Sequence, residues 1–380
     1  MKIAIVHDWL VTYAGAERVL AEILKLYPTA DLYSVVDFMP EQDRGYFGGR
    51  SAHTTWVQKL PGARRRYRTY LPLMPWAIEQ LDMSAYDMVI SSSHAVAKGV
   101  ITRPDQLHIC YCYSPMRYAW DMREEYLREV GMDSGLSGGT VRFLLERLRK
   151  WDLKNSRRVN HFIAISNFIA DRIRGSYNRE ASVIYPPVDT AYFNSLGTKD
   201  DFYLAASRMV PYKRIKLIVE AFSRMPQRRL VVIGDGPQYK SARAAAGTNV
   251  QFLGYQSSIV LREHLQRARA FIFAAKEDFG ILPVEAQACG TPVIAYGVGG
   301  ALETVRGLGC DGVEKPTGLF FAEQTEESMI AAIEAFEARE AEFRPEYCRE
   351  NALRFAPEQF RQQFTRFVDT AIKHFQREKK

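Results

Sequence analysis

Residues 274–300 read AAKEDFGILPVEAQACGTPVIAYGVGG, and their order decides the fold. The apolar run 270–275 (AFIFAA) that leads into them has the length and the Phe/Ile content of a buried strand. Lys276, Glu277 and Asp278 stand at its carboxyl end, and Phe279-Gly280 suits a tight turn. Pro283 fits the first position of a helix, where a missing N–H costs nothing. Glu285 then falls in the first turn of a short helix, which Gly290 ends just past its cap. Residues 292–296 make the next strand, and Gly297-Val298-Gly299-Gly300 is a flexible loop beyond it. Strand, charged loop, short helix and strand form a βαβ unit.

That geometry implies chemistry. In open parallel sheets, ligands bind beyond the carboxyl ends of the strands. The first amides of the helix, around Phe279, Gly280, Ile281 and Leu282, have no helical partners and can donate to a phosphate or sugar oxygen. Glu277 and Glu285 can grip hydroxyls on either side of that anion. Such a set suits a ligand with several hydroxyls and a phosphate, such as a nucleotide sugar. The plainer alternative is a solubilising loop and a helix whose Glu285 only complements the dipole.

Working outward, 380 residues suffice for two domains with separate cores. Hydrophobic residues at 47% and charged residues at 25% place the chain among globular proteins. No run approaches the ~18 apolar residues of a membrane span. MKIAIVHDW is a strand interrupted by His7 and Asp8, unlike a signal peptide. Cys110, Cys112, Cys289, Cys310 and Cys348 show no metal-ligand spacing, so reduced thiols and a cytoplasmic location are expected. No Asp-x-Asp metal site is found.

The formal net charge is +7, but its distribution is uneven. Lys59, Arg64, Arg65, Arg66 and Arg68 fall in QKLPGARRRYRTYLPLMPW, which has no acidic residue. This segment is expected to lie on an anionic membrane surface, with Tyr67, Tyr70, Leu71, Leu73, Met74 and Trp76 inserting shallowly. Nucleic acid is the less favoured partner, because no nucleic-acid motif accompanies the charge. The alternative is an ordinary basic loop with its aromatics buried.

Strands and helices alternate in both halves. Strands are expected at 3–6, 32–36, 86–91, 107–113, 161–165 and 183–185, then at 202–206, 230–233 and 250–253 before the opening unit. Helices are expected from Gly15, over 138–158, after the cap Ser166-Asn167, and over 212–225. Pro186-Pro187 cannot be helical. The chain therefore reads as α/β, with two doubly wound parallel sheets facing a cleft. The N-terminal domain takes 1–187 and the C-terminal domain 188–356. A terminal helix over 357–380 carries Phe360, Phe364, Phe367 and Val368 on one face.

Other residues at strand ends are candidates. Arg208 and Lys213, after the first strand of the second half, can neutralise a diphosphate or simply charge the surface. Gly234 and Gly236 in GDGP are a weak glycine signal. His94 closes a strand of the first half, where a lone histidine is more often structural. Gly15 opens the first helix. Tyr113, Arg117, Tyr118 and Trp120 in CYCYSPMRYAW can stack on an acceptor sugar or pack.

The run EDFGILPVEAQACGTPVIA, with Glu277 and Glu285 in E-x7-E, resembles the signature of the retaining GT-B glycosyltransferases of family 4. The resemblance implies that Glu277 meets the donor sugar and Glu285 the nucleotide ribose. It gives Arg208 and Lys213 the donor diphosphate, with Arg214 as a rival to Lys213. It assigns Gly234 and Gly236 to the base, His94 to the donor sugar and Gly15 to the phosphates, although Ala14 stands where a first glycine is usual. It also implies that the terminal helix crosses back to the first domain.

Within that family, IAIVHDWL, AGAERVLAE, SSSHAVAKGV, YSPMRYAWD and VIYPPVD are similar to bacterial mannosyltransferases of O-antigen and exopolysaccharide assembly. This implies a GDP-mannose donor, a lipid-linked oligosaccharide acceptor, and no metal or other cofactor. Rivals are a UDP-hexose transferase, a nucleotide-sugar epimerase or hydrolase, and a sugar-binding scaffold. A dinucleotide oxidoreductase would need G-x-G-x-x-G after the first strand, which is missing.

Overall fold

The short apolar runs become parallel strands in two separate sheets. A computed structural model of the chain describes residues 1–120, 135–195 and 198–379. One unit comprises Met1–Tyr185 with Phe360–Lys380, the other Pro186–Gln359. Asp121, the last residue of YSPMRYAWD, lies outside the described residues.

The first unit holds β1 (Ile3–His7), β2 (Asp31–Ser34), β3 (His53–Thr54), β4 (Met88–Ser93), β5 (Leu107–Cys112), β6 (His161–Ala164) and β7 (Ala181–Val183). They lie in the order β3-β2-β1-β4-β5-β6-β7. The second unit holds β8 (Tyr203–Ala206), β9 (Leu230–Ile233), β10 (Val250–Gly254), β11 (Ala270–Phe273), β12 (Val293–Tyr296) and β13 (Gly318–Phe321). Their order is β10-β9-β8-β11-β12-β13. Strand order reverses between β1 and β4, and again between β8 and β11. Both pairs are parallel, with His7 opposite Ser92 and Ala270 opposite Tyr203. Side chains just past these four strands therefore open onto the crevices where such sheets bind ligands.

β4 and β5 are buried at every position, as expected of parallel strands covered on both faces. Beside them Lys98 is fully buried, its Nζ 2.7 Å from Asp152 on the helix Gly135–Ser156 and 2.8 Å from the Ala95 carbonyl. Asp152 also accepts from Trp120 Nε1 at 2.9 Å and from the Tyr177 hydroxyl at 2.6 Å. Burial opposes the ammonium charge, but Asp152 more than offsets it and holds Lys98 above its usual range. The helix Pro357–Glu378 buries Phe360, Phe364, Val368 and Ala371, one stripe at helical spacing. Phe360 and Phe364 meet Tyr111 of β5 at 5.8 and 6.3 Å, and Arg361 pairs with Glu22 at 2.5 Å.

Three local expectations change. The helix after β8 begins at Ile215 rather than Tyr212, because Pro211–Lys213 form a 3-10 turn and Arg214 takes a left-handed φ of 57°. The helix after β11 begins at Ile281, two residues early, because Gly280 (φ 88°) turns the chain into it. Pro283 is thus the third helical residue, still among the four whose N–H has no helical partner. Glu285 is the fifth, two residues further in than its sequence position suggests. The third change concerns the basic segment, which coils into Ala63–Arg66, Tyr67–Leu73 and Met74–Glu79. Tyr67, Leu71 and Met74 are buried in the first core, whereas Leu73 and Trp76 are 41% and 60% exposed.

Replacing Lys98 by Met should leave the Asp152 carboxylate buried beside an apolar chain. Losing one partner of a buried ion pair costs about 3–5 kcal/mol. Urea denaturation of Lys98→Met should show a loss of that size, and a change within about 0.5 kcal/mol would contradict the pairing.

Candidate functional site

In the second unit the ends of β8 and β11 bring charge together. Lys213, just beyond β8, hydrogen-bonds through Nζ to Glu277 Oε1, just beyond β11. The two side chains are 16% and 18% exposed. Of the two candidate cations, Lys213 is the one that reaches Glu277; Arg214 is exposed. Arg208, nearer the strand, is also exposed. The loop carrying Glu277 is pinned from β12's side: Gly300 N donates to the Glu277 carbonyl at 2.8 Å. Phe279 is buried, and Gly280 caps the helix Ile281–Ala288 without any side-chain hydrogen bond. The amides of Ile281 and Leu282 thus lie in a helical first turn with no side-chain cap, beside a lysine-carboxylate pair. Glu285 is buried in the same helix. Bare amides and cations suit a diphosphate, and carboxylates suit hydroxyls.

The GDGP glycines also have a steric cause. A Cβ on Gly234 (φ 132°) would lie 1.9 Å from the Ser207 carbonyl oxygen, and one on Gly236 (φ 152°) 2.7 Å from that of Met209. Met209 N donates to the Asp235 carbonyl at 2.8 Å, and Gln238 N to that of Met209 at 3.0 Å. The glycines therefore let one loop press on another. That contact sets the place of Arg208, between Ser207 and Met209.

The first unit builds a site of opposite character where β1 and β4 end. Asp8 is fully buried, and its carboxylate accepts from the amides of His94, Ala95, Val96 and Ala97 at 2.6–3.0 Å. His94 Nδ1 is 3.0 Å from the same group. Burial raises the Asp8 carboxyl pKa, but His94, His7 and the amides prevail and hold it well below the usual range. His7 Nδ1 shares a hydrogen bond with Ser92 Oγ at 3.0 Å, and Ser92 with the Tyr113 hydroxyl at 2.9 Å. That hydroxyl donates to the Ala16 carbonyl at 2.8 Å. On its other side His7 Nε2 is 3.6 Å from Glu17, an ion-pair distance rather than a hydrogen bond. Burial opposes the Glu17 charge, but His7 lowers its pKa nonetheless.

His94 and Tyr113 thus lie ring to ring at 6.2 Å, and the Tyr113 hydroxyl reaches the helix that Gly15 opens. Gly15 opens the helix Gly15–Leu26, where Glu17 already accepts from Ala14 N at 3.1 Å. Glu17, a carboxylate of the chain itself, thus meets the amide just before Gly15. Trp120 lies against the Lys98–Asp152 pair with Arg149 over its ring at 4.5 Å, and Tyr118 packs on the first core. Arg117 is half-buried. Asp8 and Glu17 are the site residues that sequence reasoning missed. A strand ending in His-Asp was visible, but nothing local links residue 8 to residue 94. Among the described residues, no three His, Cys, Asp or Glu side chains are grouped to hold a metal ion, and no helix is long and apolar enough to cross a membrane.

Residues 190–355 match the family described as glycosyl transferases group 1. The D-inositol 3-phosphate glycosyltransferase of Mycobacterium leprae is 36% identical over 111 residues, covering 26% of this chain and 26% of that protein. The GDP-mannose-dependent monoacylated alpha-(1-6)-phosphatidylinositol monomannoside mannosyltransferase of Corynebacterium glutamicum is 38% identical over 117 residues, covering 26% and 30%. The matched part of the chain thus spans well under half the length of these relatives. The crystal structure of Anabaena HepE in complex with UDP superposes with a TM-score of 0.68 at 17% identity, covering 97% of this chain and 100% of that one. The two parallel-sheet, Rossmann-like units are those of the GT-B fold.

Gly234→Ala should force the Ser207 carbonyl away and shift the Arg208 loop. Overpacking of this kind costs about 1–3 kcal/mol. Thermal denaturation should show that loss, and a variant as stable as the parent would contradict the contact.

Proposed function

We propose that this chain is a retaining, metal-independent glycosyltransferase that moves mannose from GDP-mannose onto a lipid-linked oligosaccharide. It would serve bacterial surface polysaccharide assembly from the cytoplasmic face of the membrane. The observation that carries this reading is the Lys213–Glu277 pair beside the uncapped helix start at Gly280. The match of residues 190–355 to glycosyl transferases group 1 supports the reaction class. The Corynebacterium relative, named as GDP-mannose-dependent, supports the donor.

As the bond from sugar to diphosphate lengthens, negative charge gathers on the leaving phosphate. Arg208, Lys213 and the first-turn amides lie ready to stabilise it, as preorganised donors do for an oxyanion. Glu285 holds the ribose hydroxyls. Glu277 takes a sugar hydroxyl, and its bond to Lys213 aims it. In the first unit, carboxylates and imidazoles offer partners to neutral hydroxyls, and His94 is assigned a sugar hydroxyl. A UDP-hexose donor is the second reading, favoured by the fold shared with UDP-bound HepE. A thermal-shift screen of GDP- and UDP-sugars separates the two, since a ligand at ~100 times its dissociation constant stabilises by about 2.7 kcal/mol.

Membrane recruitment would rest on exposed Lys59, Arg64, Arg65, Arg66 and Arg68, with Leu73 and Trp76 as the exposed apolar contacts. Each cation near an anionic surface contributes about 1 kcal/mol. Tyr67, Leu71 and Met74 are excluded from insertion by their burial.

Calorimetry with GDP should show Glu285→Ala weakened and Glu277→Ala unchanged, while Glu277→Ala loses turnover with GDP-mannose. Equal losses of GDP affinity would sink this division of roles. Arg208→Ala should lower kcat by ~10²–10³-fold, in an assay that tolerates EDTA; an effect confined to KM, or a metal requirement, argues against the cationic clamp. Changing Arg64, Arg65, Arg66 and Arg68 together to Glu should abolish co-sedimentation with anionic vesicles and spare GDP binding. Sedimentation that persists in this variant would reject the membrane role of the segment.

A further inference from the structure

Five N–H groups address one buried carboxylate at the first unit's switch point. Four are the backbone amides of residues 94–97, two on each oxygen of Asp8. The fifth is the ring of His94, whose Nδ1 lies 3.0 Å from Asp8 Oδ2. A carboxylate at this depth has only acceptors to offer. Nδ1 must therefore carry a proton, because its lone pair would otherwise face a negative oxygen at hydrogen-bonding distance. The tautomer follows: Nδ1–H points inward, so whenever the ring is neutral its lone pair is on Nε2. The ring is braced as well, with Trp9 edge-on at 4.6 Å and 88°. The His94 side chain stays 27% exposed. Around it stand His7 at 6.5 Å and Tyr113 at 6.2 Å, ring to ring.

We propose that Asp8 is the positioning residue of His94: it locks the imidazole and the 94–97 turn into one unit and presents Nε2 as an acceptor for a hydroxyl of a neutral sugar. The same carboxylate fills the amide cluster that a phosphate would otherwise seek, as Glu17 does at Ala14 N. Ligand hydroxyls are thereby selected over ligand phosphates in this unit. The assignment of His94 to a sugar rests on the glycosyltransferase reading, but the tautomer does not.

Long-range 1H–15N spectra of the full chain labelled with 15N-histidine, with His94→Gln used to assign its signals, read the ring without any ligand. The parent should show His94 as the Nδ1–H tautomer. Asp8→Ala should turn it to the Nε2–H or averaged form and, with GDP-mannose as probe, lower kcat by about 10–100-fold, the range seen when partners of metal-bound imidazoles are removed. GDP affinity by calorimetry should be unchanged. Asp8→Asn, whose amide oxygen can still face Nδ1 while its NH2 opposes the amides of Val96 and Ala97, should keep the tautomer but restore only part of the turnover. An Nε2–H tautomer in the parent overturns the proposal, as does an unchanged ring spectrum in Asp8→Ala. If Asp8→Ala does not fold, the parent and Asp8→Asn spectra decide. Correct tautomers without turnover on GDP-mannose would instead count against the mannosyl reading alone.

Discussion

Parallel pairing of β1 with β4, and of β8 with β11, is the constraint on which the rest depends. Parallel neighbours end at the same edge, so the residues after each strand gather there. A reversal of strand order also parts the two flanking connections and leaves a crevice between them. In the first unit this brings His7-Asp8 to Ser92 and His94. In the second it brings Lys213 to Glu277. Each site is assembled by the backbone ladder, and the side chains only complete it.

The two assemblies differ in electrostatic character. The second unit keeps cations and first-turn amides at its strand ends, with one carboxylate committed to Lys213. The first unit supplies its own anions, Asp8 and Glu17, to the amides that gather there. One arrangement suits phosphate, and the other suits uncharged hydroxyls. The contrast arises from where each chain segment places its carboxylates, since the geometry of the parallel sheets is alike.

Close packing accounts for residues that look like ligand contacts. Gly234 and Gly236 are required by the Ser207–Met209 loop that presses on them. Trp120 completes the buried Lys98–Asp152 cluster. Lys98 itself is kept charged in the core by a partner from a distant helix. These features hold the strand-end loops in place, which is a structural role with a functional consequence.

The sequence by itself determined the α/β class, the alternation of strands and helices in both halves, and the E-x7-E element between β11 and β12. These are local properties: apolar runs, turn residues and helical spacing depend on near neighbours. The 3.6-residue stripe of Phe360, Phe364 and Val368 was legible for the same reason. Only the tertiary structure joined Asp8 to His94, 86 residues apart, and Lys213 to Glu277, 64 apart. It also buried Tyr67, Leu71 and Met74, which composition had offered to a membrane, and started the Glu285 helix two residues early. Such outcomes follow from strand order, crossover path and the positive φ that Gly280 permits. No short window of residues encodes them, because the contacts that decide them come from segments folded against one another.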